Sequence, residues 1–239
     1  MNEGQSMSQM DQIHERLRDM ILALDLAPGE KLTERWLEGQ FAGSRTPIRA
    51  ALLRLEAEEL VQRDGRHWIV APVDLGEIRE LAAFREPLEV TAVRLACQRA
   101  QAADLDAIAA LLDSCPPDGP RESWHRVGTE FHVELARLSG NQFILKAIKG
   151  AMTRLSRARW LEVRSDATRA QAWAEHWRIL DLIRQANPDA AAEAAADHIR
   201  DTRDRLLHSL NEDRRGLRAS GFSLIGLNAY EQRPQSHGR

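Results

Sequence analysis

The segment Ser44–Leu60 constrains the fold of this chain most, because its sequence is amphipathic at helical spacing. Apolar side chains recur every three or four residues, which predicts a helix with one buried face. Ser44 is a preferred N-terminal cap, since its hydroxyl can accept a hydrogen bond from an amide of the first turn. Pro47 falls in that first turn, where its missing amide hydrogen removes no helical bond. Such a helix needs a folded domain against which its apolar face can pack.

The other side of this helix begins with three hydrogen-bond donors, Arg45, Thr46 and Arg49. Arginine can bond guanine through two parallel hydrogen bonds in the major groove, and a helix start can bind phosphate. The pattern therefore favours a helix that enters the major groove of DNA. A surface helix with solvated arginines is the alternative, and this segment alone does not distinguish the two.

Turn and cap signals place two helices before this segment. Pro28-Gly29 ends a first helix, Thr33 begins a short second one, and Gly43 is expected to close it. Two helices joined by so short a link, the second opening in arginines, predict a helix-turn-helix.

A β-hairpin is predicted directly after the recognition helix. Asp64-Gly65 lies between two short strand-like runs, and its tip carries Arg63, Arg66 and His67. These side chains are placed to contact the DNA backbone or the minor groove. Residues 8–73 are therefore predicted to form a winged helix-turn-helix domain.

Charge limits how such a domain can bind DNA. The chain has a net charge of −3 and a pI near 6.3, which argues against general coating of nucleic acid. Residues 1–74 hold nine Lys and Arg against thirteen Asp and Glu. Binding must then come from a locally placed basic surface and weaken strongly with salt.

The same composition indicates a cytoplasmic protein without a membrane span. No apolar run approaches 18 residues, and the first ten residues lack the apolar centre of a secretion signal. Cys97 and Cys115 form no metal or redox motif, so reduced core cysteines are expected.

The pattern from residue 74 onward is helical, which makes the predicted fold mainly α. Short links join six predicted helices into an antiparallel bundle over residues 74–210. The helices cover residues 75–100, 103–112, 121–138, 143–163, 169–186 and 188–210. Residues 211–239 lack sustained periodicity and are expected to form a mobile tail.

Four polar residues fall on inward faces of the bundle. His132, His176 and His198 lie on three different helices, and three converging imidazoles would hold Zn²⁺ or a similar ion. Three separate core histidines are the simpler interpretation, because a linear sequence does not prove convergence. Arg85 requires an anion there, either Glu89 four residues on or an acidic ligand in a central cavity.

With both halves considered, the chain resembles the GntR-family transcription regulators of the FadR type, whose helical effector domain is called FCD. The resemblance covers about residues 10–210. It depends on residues 28–32 (PGEKL), 34–35 (ER), 44–49 (SRTPIR), 85–89 (REPLE), 131–132 (FH), 138–141 (LSGN), 175–176 (EH) and His198.

The resemblance implies a homodimer that binds a short palindromic operator on double-stranded DNA. The DNA contacts expected here are Arg35, Ser44, Arg45, Thr46, Arg49, Arg66 and His67. It further implies that Arg85 reaches a small carboxylate effector, and that His132, His176 and His198 bind one divalent ion such as Zn²⁺, Ni²⁺ or Mn²⁺.

Three positions depart from the family pattern. Gly128 stands four residues before His132, where the family has an aspartate ligand, so one metal ligand is absent. Glu59 and His67 occupy wing positions where the family usually has glycine. Two alternatives stay open: a metal-dependent all-helical enzyme, and a regulator with a decayed metal site that senses its acid through Arg85 alone.

Overall fold

The protein is described by a computed structural model that covers residues 7–162 and 165–226. It is mainly helical, which confirms the predicted fold class. The chain divides into two compact units. The first contains the described residues up to Val73 together with Arg214–Ile225, and the second runs from Asp74 to Asp213. Within the described residues, no helix combines the length and the apolar composition needed to cross a bilayer.

The first unit contains the predicted helix-turn-helix and hairpin. Its elements are α1 (Gln9–Leu22), β1 (Lys31–Leu32), α2 (Glu34–Phe41), α3 (Arg45–Ala57), β2 (Val61–Asp64) and β3 (His67–Val70). The three strands form an antiparallel sheet in the order β1-β3-β2. Strand β1 was not predicted, because two residues are too few to show a periodicity.

Helix α3 buries the apolar face that its sequence predicts. Four of its side chains are almost fully buried, namely Ile48, Ala51, Leu52 and Leu55, and Leu60 just after the helix is buried as well. Each of the isoleucine and leucine side chains contributes about 1.5–3 kcal/mol through removal from water. The same core includes Leu17 and Ile21 of α1 and Trp68 of β3. The helix is therefore fixed in rotation, with its polar side directed outward.

Two predicted helix caps differ in the structure. Ser44 occupies the N-cap position of α3 with extended backbone, but its side chain forms no cap hydrogen bond. Helix α2 ends at Ala42, whose φ of 46° is left-handed, rather than at Gly43. Glu59 is also left-handed, with φ of 57°. This conformation costs a non-glycine residue about 1–2 kcal/mol, which explains why glycine is favoured at this wing position.

The second unit is a bundle of six helices among the described residues. They are α4 (Leu75–Arg99), α5 (Ala102–Asp113), α6 (Arg121–Leu138), α7 (Gln142–Glu162), α8 (Asp166–Arg184) and α9 (Pro188–Glu212). Asp74 caps α4 by accepting a 2.8 Å hydrogen bond from the amide of Gly76. Helix α4 packs against α6, α7 and α9, so side chains from these helices meet in the interior.

The segment expected to be a mobile tail, residues 211–239, contains regular structure as far as Ile225. A short helix α10 (Arg214–Ala219) follows α9, and strand β5 (Leu224–Ile225) pairs with β4 (Val73–Asp74). The Ser223 amide donates to the Pro28 carbonyl at 2.7 Å. Leu217 and Leu224 are buried and hold the segment in place. Leu217 lies in a helix of six residues and Leu224 in a strand of two, and elements this short show no periodicity, so the sequence did not reveal them. Residues 227–239 lie outside the described residues.

Gly29→Ala is expected to detach this C-terminal segment. Gly29 has a φ of +90°, and an added Cβ would lie 2.5 Å from Ser223 Cβ, so strain and a clash add together. Gly65→Ala is the matched control, because its φ of +58° is also left-handed, nothing lies within 4 Å of it, and it lies outside the C-terminal segment. Hydrogen exchange measured by mass spectrometry should speed up at residues 214–226 only for Gly29→Ala. Equally fast exchange in both variants would show that backbone strain, and not the clash with Ser223, releases the segment.

Candidate functional site

The polar side of α3 carries the donors predicted to contact DNA. Arg45, Thr46 and Arg49 are all exposed, whereas Ile48 between them is buried. Ser44, just before the helix, is exposed as well, and so is Arg35 on α2. The fold therefore presents these side chains on the surface of the first unit.

Acidic residues of α2 hold both arginines in the free protein. Arg45 Nε lies 2.8 Å from Glu38 Oε1, and Arg49 forms a two-pronged pair with Glu34 at 2.7 and 3.1 Å. The hydrogen bond from Arg49 lowers the pKa of the Glu34 carboxyl. The arginine side chains are 70% and 60% exposed, so solvent screens both pairs and each contributes little to stability. A DNA phosphate or guanine can compete for either guanidinium at little cost.

The hairpin directs a second group of polar side chains outward. Its tight turn is made by Gly65, with φ of 58°, and Arg66, and it joins Asp64 to its cross-strand partner His67. Arg66 and His67 are exposed at this tip. Arg63 instead lies over the Trp68 ring, 3.6 Å from its centroid. The two predicted wing contacts are thus available on the surface.

Three histidines converge inside the second unit. His132 on α6, His176 on α8 and His198 on α9 are 1%, 1% and 3% exposed. The Nε2 atoms of His176 and His198 are 3.2 Å apart, and those of His132 and His198 are 3.4 Å apart. One nitrogen from each ring lies within 4.8 Å of the others. The structure therefore brings together the three predicted ligands.

Carboxylates fix the orientation of two of these rings. His132 Nδ1 lies 2.7 Å from Glu89 Oε2, and His198 Nδ1 lies 2.6 Å from Glu175 Oε2. Arg205 in turn donates to both oxygens of Glu175, at 2.9 and 3.0 Å. A carboxylate only accepts hydrogen bonds, so Nδ1 carries the proton and Nε2 carries a lone pair. This is the outer arrangement found around histidines that bind metal ions.

The donor set fits a divalent metal ion. The Nε2 lone pairs of His132 and His198 repel one another at 3.4 Å unless a cation or proton lies between them. Two imidazole nitrogens bound to tetrahedral Zn²⁺ are about 3.4 Å apart, given bonds of about 2.0–2.1 Å. Burial lowers the pKa of His132 to about 3, which keeps the ring in the neutral form that binds metal. Imidazoles without a carboxylate favour Zn²⁺ or Ni²⁺ over Mn²⁺.

Arg85 belongs to this buried network rather than to an open pocket wall. Its Nε donates to Glu89 Oε1 at 2.7 Å, so Glu89 joins Arg85 to His132. Burial raises the pKa of Glu89, but Arg85 and His132 outweigh it and hold that pKa far below the ordinary value. The first of the two anions considered for Arg85, the helix-face partner Glu89, is the one in contact.

Residues that the sequence did not single out complete the surroundings. A small cavity of about 10 Å³, the room of a single water molecule, borders the histidines, and it is lined by Trp124, Gly128, Arg159, Thr168, Arg169, Ala172, His176, His198 and Thr202. Arg159 on α7 is buried there. Its 31-residue separation from Gly128 gives no local spacing signal. Glu175 adjoins His176 in the sequence, which is the one signal that pointed to it.

Comparison with family models assigns both halves of the chain. Residues 9–68 match the model described as bacterial regulatory proteins, gntR family. Residues 80–201 match the FCD domain. One matched segment lies in each of the two units.

Similar proteins carry regulatory names. The chain is 31% identical over 194 residues to the Nta operon transcriptional regulator of Aminobacter aminovorans, covering 79% of this chain and 90% of that one. It is 29% identical over 218 residues to the transcriptional repressor NanR of Citrobacter rodentium, covering 79% and 82%. A solved GntR structure from Rhodococcus sp. RHA1 superposes with a TM-score of 0.73 at 20% identity, covering 84% and 99%. E. coli McbR/YncC gives 0.69 at 20% identity, covering 85% and 99%, so both structures support the fold.

Proposed function

This chain belongs to the gntR family of bacterial regulatory proteins and carries an FCD domain, and from that membership we propose that it is a dimer that binds a palindromic operator in the cytoplasm. We further propose that a small carboxylate effector controls this binding. The family and its named relatives are transcriptional regulators, so the metal-dependent enzyme considered from the sequence is set aside. The observation that carries the DNA proposal is the exposed cluster Arg45, Thr46 and Arg49 at the start of α3. Arg35, Ser44, Arg66 and His67 are proposed to add backbone or groove contacts.

Dimerisation is proposed to occur through an apolar surface on the second unit. Leu81 and Phe84 of α4 and Phe143 and Ala147 of α7 line one groove. Phe84 is 48% exposed and Phe143 is 87% exposed, which is unusual for large aromatic side chains. A second copy would cover both rings through the same surface. Two recognition helices would then meet one DNA face, as a palindrome requires.

The effector is proposed to bind beside the histidine cluster. His132, His176 and His198 would hold one divalent ion, whose Lewis acidity fixes a carboxylate oxygen. Around it, Glu89 and Glu175 orient the rings, and Arg85 holds Glu89 in place. Direct contact between Arg85 and the effector remains a prediction. A decayed metal site is the second candidate, favoured by Gly128, which supplies no ligand atom.

Regulation follows if the effector binds one arrangement of the dimer better than another. Helices α6, α8 and α9 each contribute one histidine, so a ligand that bridges these groups favours one packing of the three helices. Such a ligand shifts the population toward the arrangement that it prefers, and operator affinity changes by the same coupling free energy.

Selection from a random DNA pool tests the proposed function. The purified protein is expected to enrich a short inverted repeat, and the complex should contain two chains per duplex by light scattering. Raising the salt concentration should weaken binding, because phosphate contacts release counterions. A pool that shows no enriched sequence at low salt would contradict the proposal, and a single unrepeated half-site would contradict its dimeric form.

A further inference from the structure

The outward side of α3 changes character along the helix. Its first two turns carry the donor cluster described above, which ends at Arg49. Beyond it follow three exposed apolar residues, Ala50, Leu53 and Ala57. Leu53 is 56% exposed and is one of four large apolar side chains that are exposed in the described part of the chain. A single exposed leucine is ordinary, but three apolar residues next to a DNA-binding cluster indicate a contact surface.

Helical geometry places Leu53 on the same side of α3 as the donors. At about 100° per residue, Leu53 lies about 40° around the helix axis from Arg49 and about 20° from Thr46. Arg54 and the half-buried Glu56 project to either side of it, about 100° and about 60° away. A DNA surface that both Arg49 and Thr46 contact therefore meets Leu53 next along the helix.

One base suits an apolar side chain in the major groove. All four bases present hydrogen-bonding groups there, and thymine alone adds a methyl group, at C5. Leucine can neither donate nor accept a hydrogen bond, so opposite any other base it would cover polar groups without pairing them. Leu53 follows Arg49 by about 6 Å along the helix, and successive bases of a strand are about 3.4 Å apart. The base that Leu53 meets therefore lies within about two steps of the base that Arg49 contacts.

We propose that Leu53, with Ala50 beside it, packs against the C5 methyl group of one thymine in each half of the operator and sets the preference for that base. This inference rests on the proposed function and adds a base contact that no arginine provides. Removing a methyl-sized group from water contributes about fourfold in affinity, and two half-sites together give about fifteenfold. Leu53 is thus a specificity-determining residue, since it distinguishes thymine from the other three bases.

Replacement of thymine by deoxyuridine in the selected inverted repeat tests this contact, because deoxyuridine lacks only the methyl group. Each thymine is replaced in turn, symmetrically in both half-sites, and fluorescence anisotropy measures the affinity. The wild type should lose about fifteenfold at one symmetric position. In Leu53→Ala the same replacement should change the affinity by less than about twofold, because the side chain that contacts the methyl group is gone. Leu53→Met keeps a long apolar side chain and should retain most of the methyl effect.

Arg54→Ala is the control, because Arg54 is the exposed neighbour of Leu53 on the same helix, and this variant should keep the full methyl effect. Leu53→Ala should fold as the wild type does, since the position is exposed and alanine favours the helix.

Three results would overturn the inference while leaving the proposed function intact. In the first, no replacement of thymine weakens binding by the wild type. In the second, the methyl effect survives in Leu53→Ala or disappears equally in Arg54→Ala. In the third, Leu53→Ala keeps the methyl effect but lowers the dimer fraction in light scattering, which would assign the surface to a contact between chains. A DNA selection that enriches no repeat would instead end both this inference and the proposed function.

Discussion

Arg45→Ala and Arg49→Ala are each expected to abolish specific operator binding at moderate salt. A two-pronged arginine–guanine contact contributes about 1–3 kcal/mol, and a dimer loses it twice, which gives about 2–6 kcal/mol in total. That loss corresponds to a drop of roughly thirty-fold to twenty-thousand-fold in affinity, given about 1.4 kcal/mol per factor of ten. Fluorescence anisotropy with the selected inverted repeat measures it directly.

The structure explains why this loss should appear in binding and not in folding. Arg45 and Arg49 are exposed and pair with the half-buried carboxylates Glu38 and Glu34, so their removal should change the free energy of unfolding little. Both side chains lie on the polar side of α3, away from its buried face. Circular dichroism and thermal unfolding should therefore match the wild type.

Arg54→Ala is the matched control for this prediction. Arg54 lies on the same helix, is exposed and pairs with Asp11 at 3.0 Å, but it stands in the last turn, away from the donors at the helix start. Its removal should lower operator affinity only through the loss of one distant charge. If Arg54→Ala weakens binding as much as Arg45→Ala, or if both Arg45→Ala and Arg49→Ala retain full affinity, the recognition-helix assignment is wrong.

The DNA face could be predicted from sequence because its signals are local. Burial of Ile48 and exposure of Arg49 follow from helical spacing within a single element. The ion pairs to Glu34 and Glu38 could not be predicted, since they join two helices at separations of fifteen and seven residues. These pairs also account for a DNA-binding unit that is acidic overall: carboxylates of α2 hold the guanidinium groups near the surface that needs them.

The histidine cluster was predictable only in part. Helical spacing placed His132, His176 and His198 on inward faces, but the meeting of three faces depends on how α6, α8 and α9 pack. The approach of Arg159 to Gly128, where a Cβ would lie 2.8 Å from Arg159 Nη2, joins two helices and is encoded by no sequence pattern. The structure of residues 214–226 was not predicted for a related reason, since one strand pairing and two buried leucines hold this segment. Periodicity within one element does not predict long-range contacts of this kind.

His198→Ala is expected to abolish metal binding and, with it, the thermal stabilisation that the metal gives the wild type. Wild-type protein should bind one Zn²⁺ or Ni²⁺ per chain and gain thermal stability, because binding at 1,000 times Kd adds about 4 kcal/mol. His198→Ala should lose both effects. Elemental analysis after dialysis and a thermal-shift titration measure them. His208→Ala is the control, since His208 is exposed on the same helix and should keep both effects.

Glu175→Gln should give an intermediate result that separates an ion site from a structural cluster. Glu175 touches the outer nitrogen of His198, so its replacement should weaken metal binding by about 10–100-fold without removing a ligand. Arg205 would then lose its carboxylate partner, and the metal-free variant should also be less stable. A variant that loses stability while its metal affinity stays unchanged would assign Glu175 to packing alone.

The stability of metal-free His198→Ala best distinguishes a metal site from a histidine cluster that only packs the bundle. In the wild type, the Nε2 atoms of His132 and His198 face one another with lone pairs at 3.4 Å, an arrangement that only a cation or proton makes favourable. Removing one of them relieves that repulsion, so the metal-free variant should lose less than the 2–5 kcal/mol typical of a large-to-small core substitution. A cluster evolved for packing would behave in the opposite way. If metal-free His198→Ala loses the full core amount, and the wild type gains nothing from Zn²⁺ or Ni²⁺, the three histidines hold the bundle together and bind no ion.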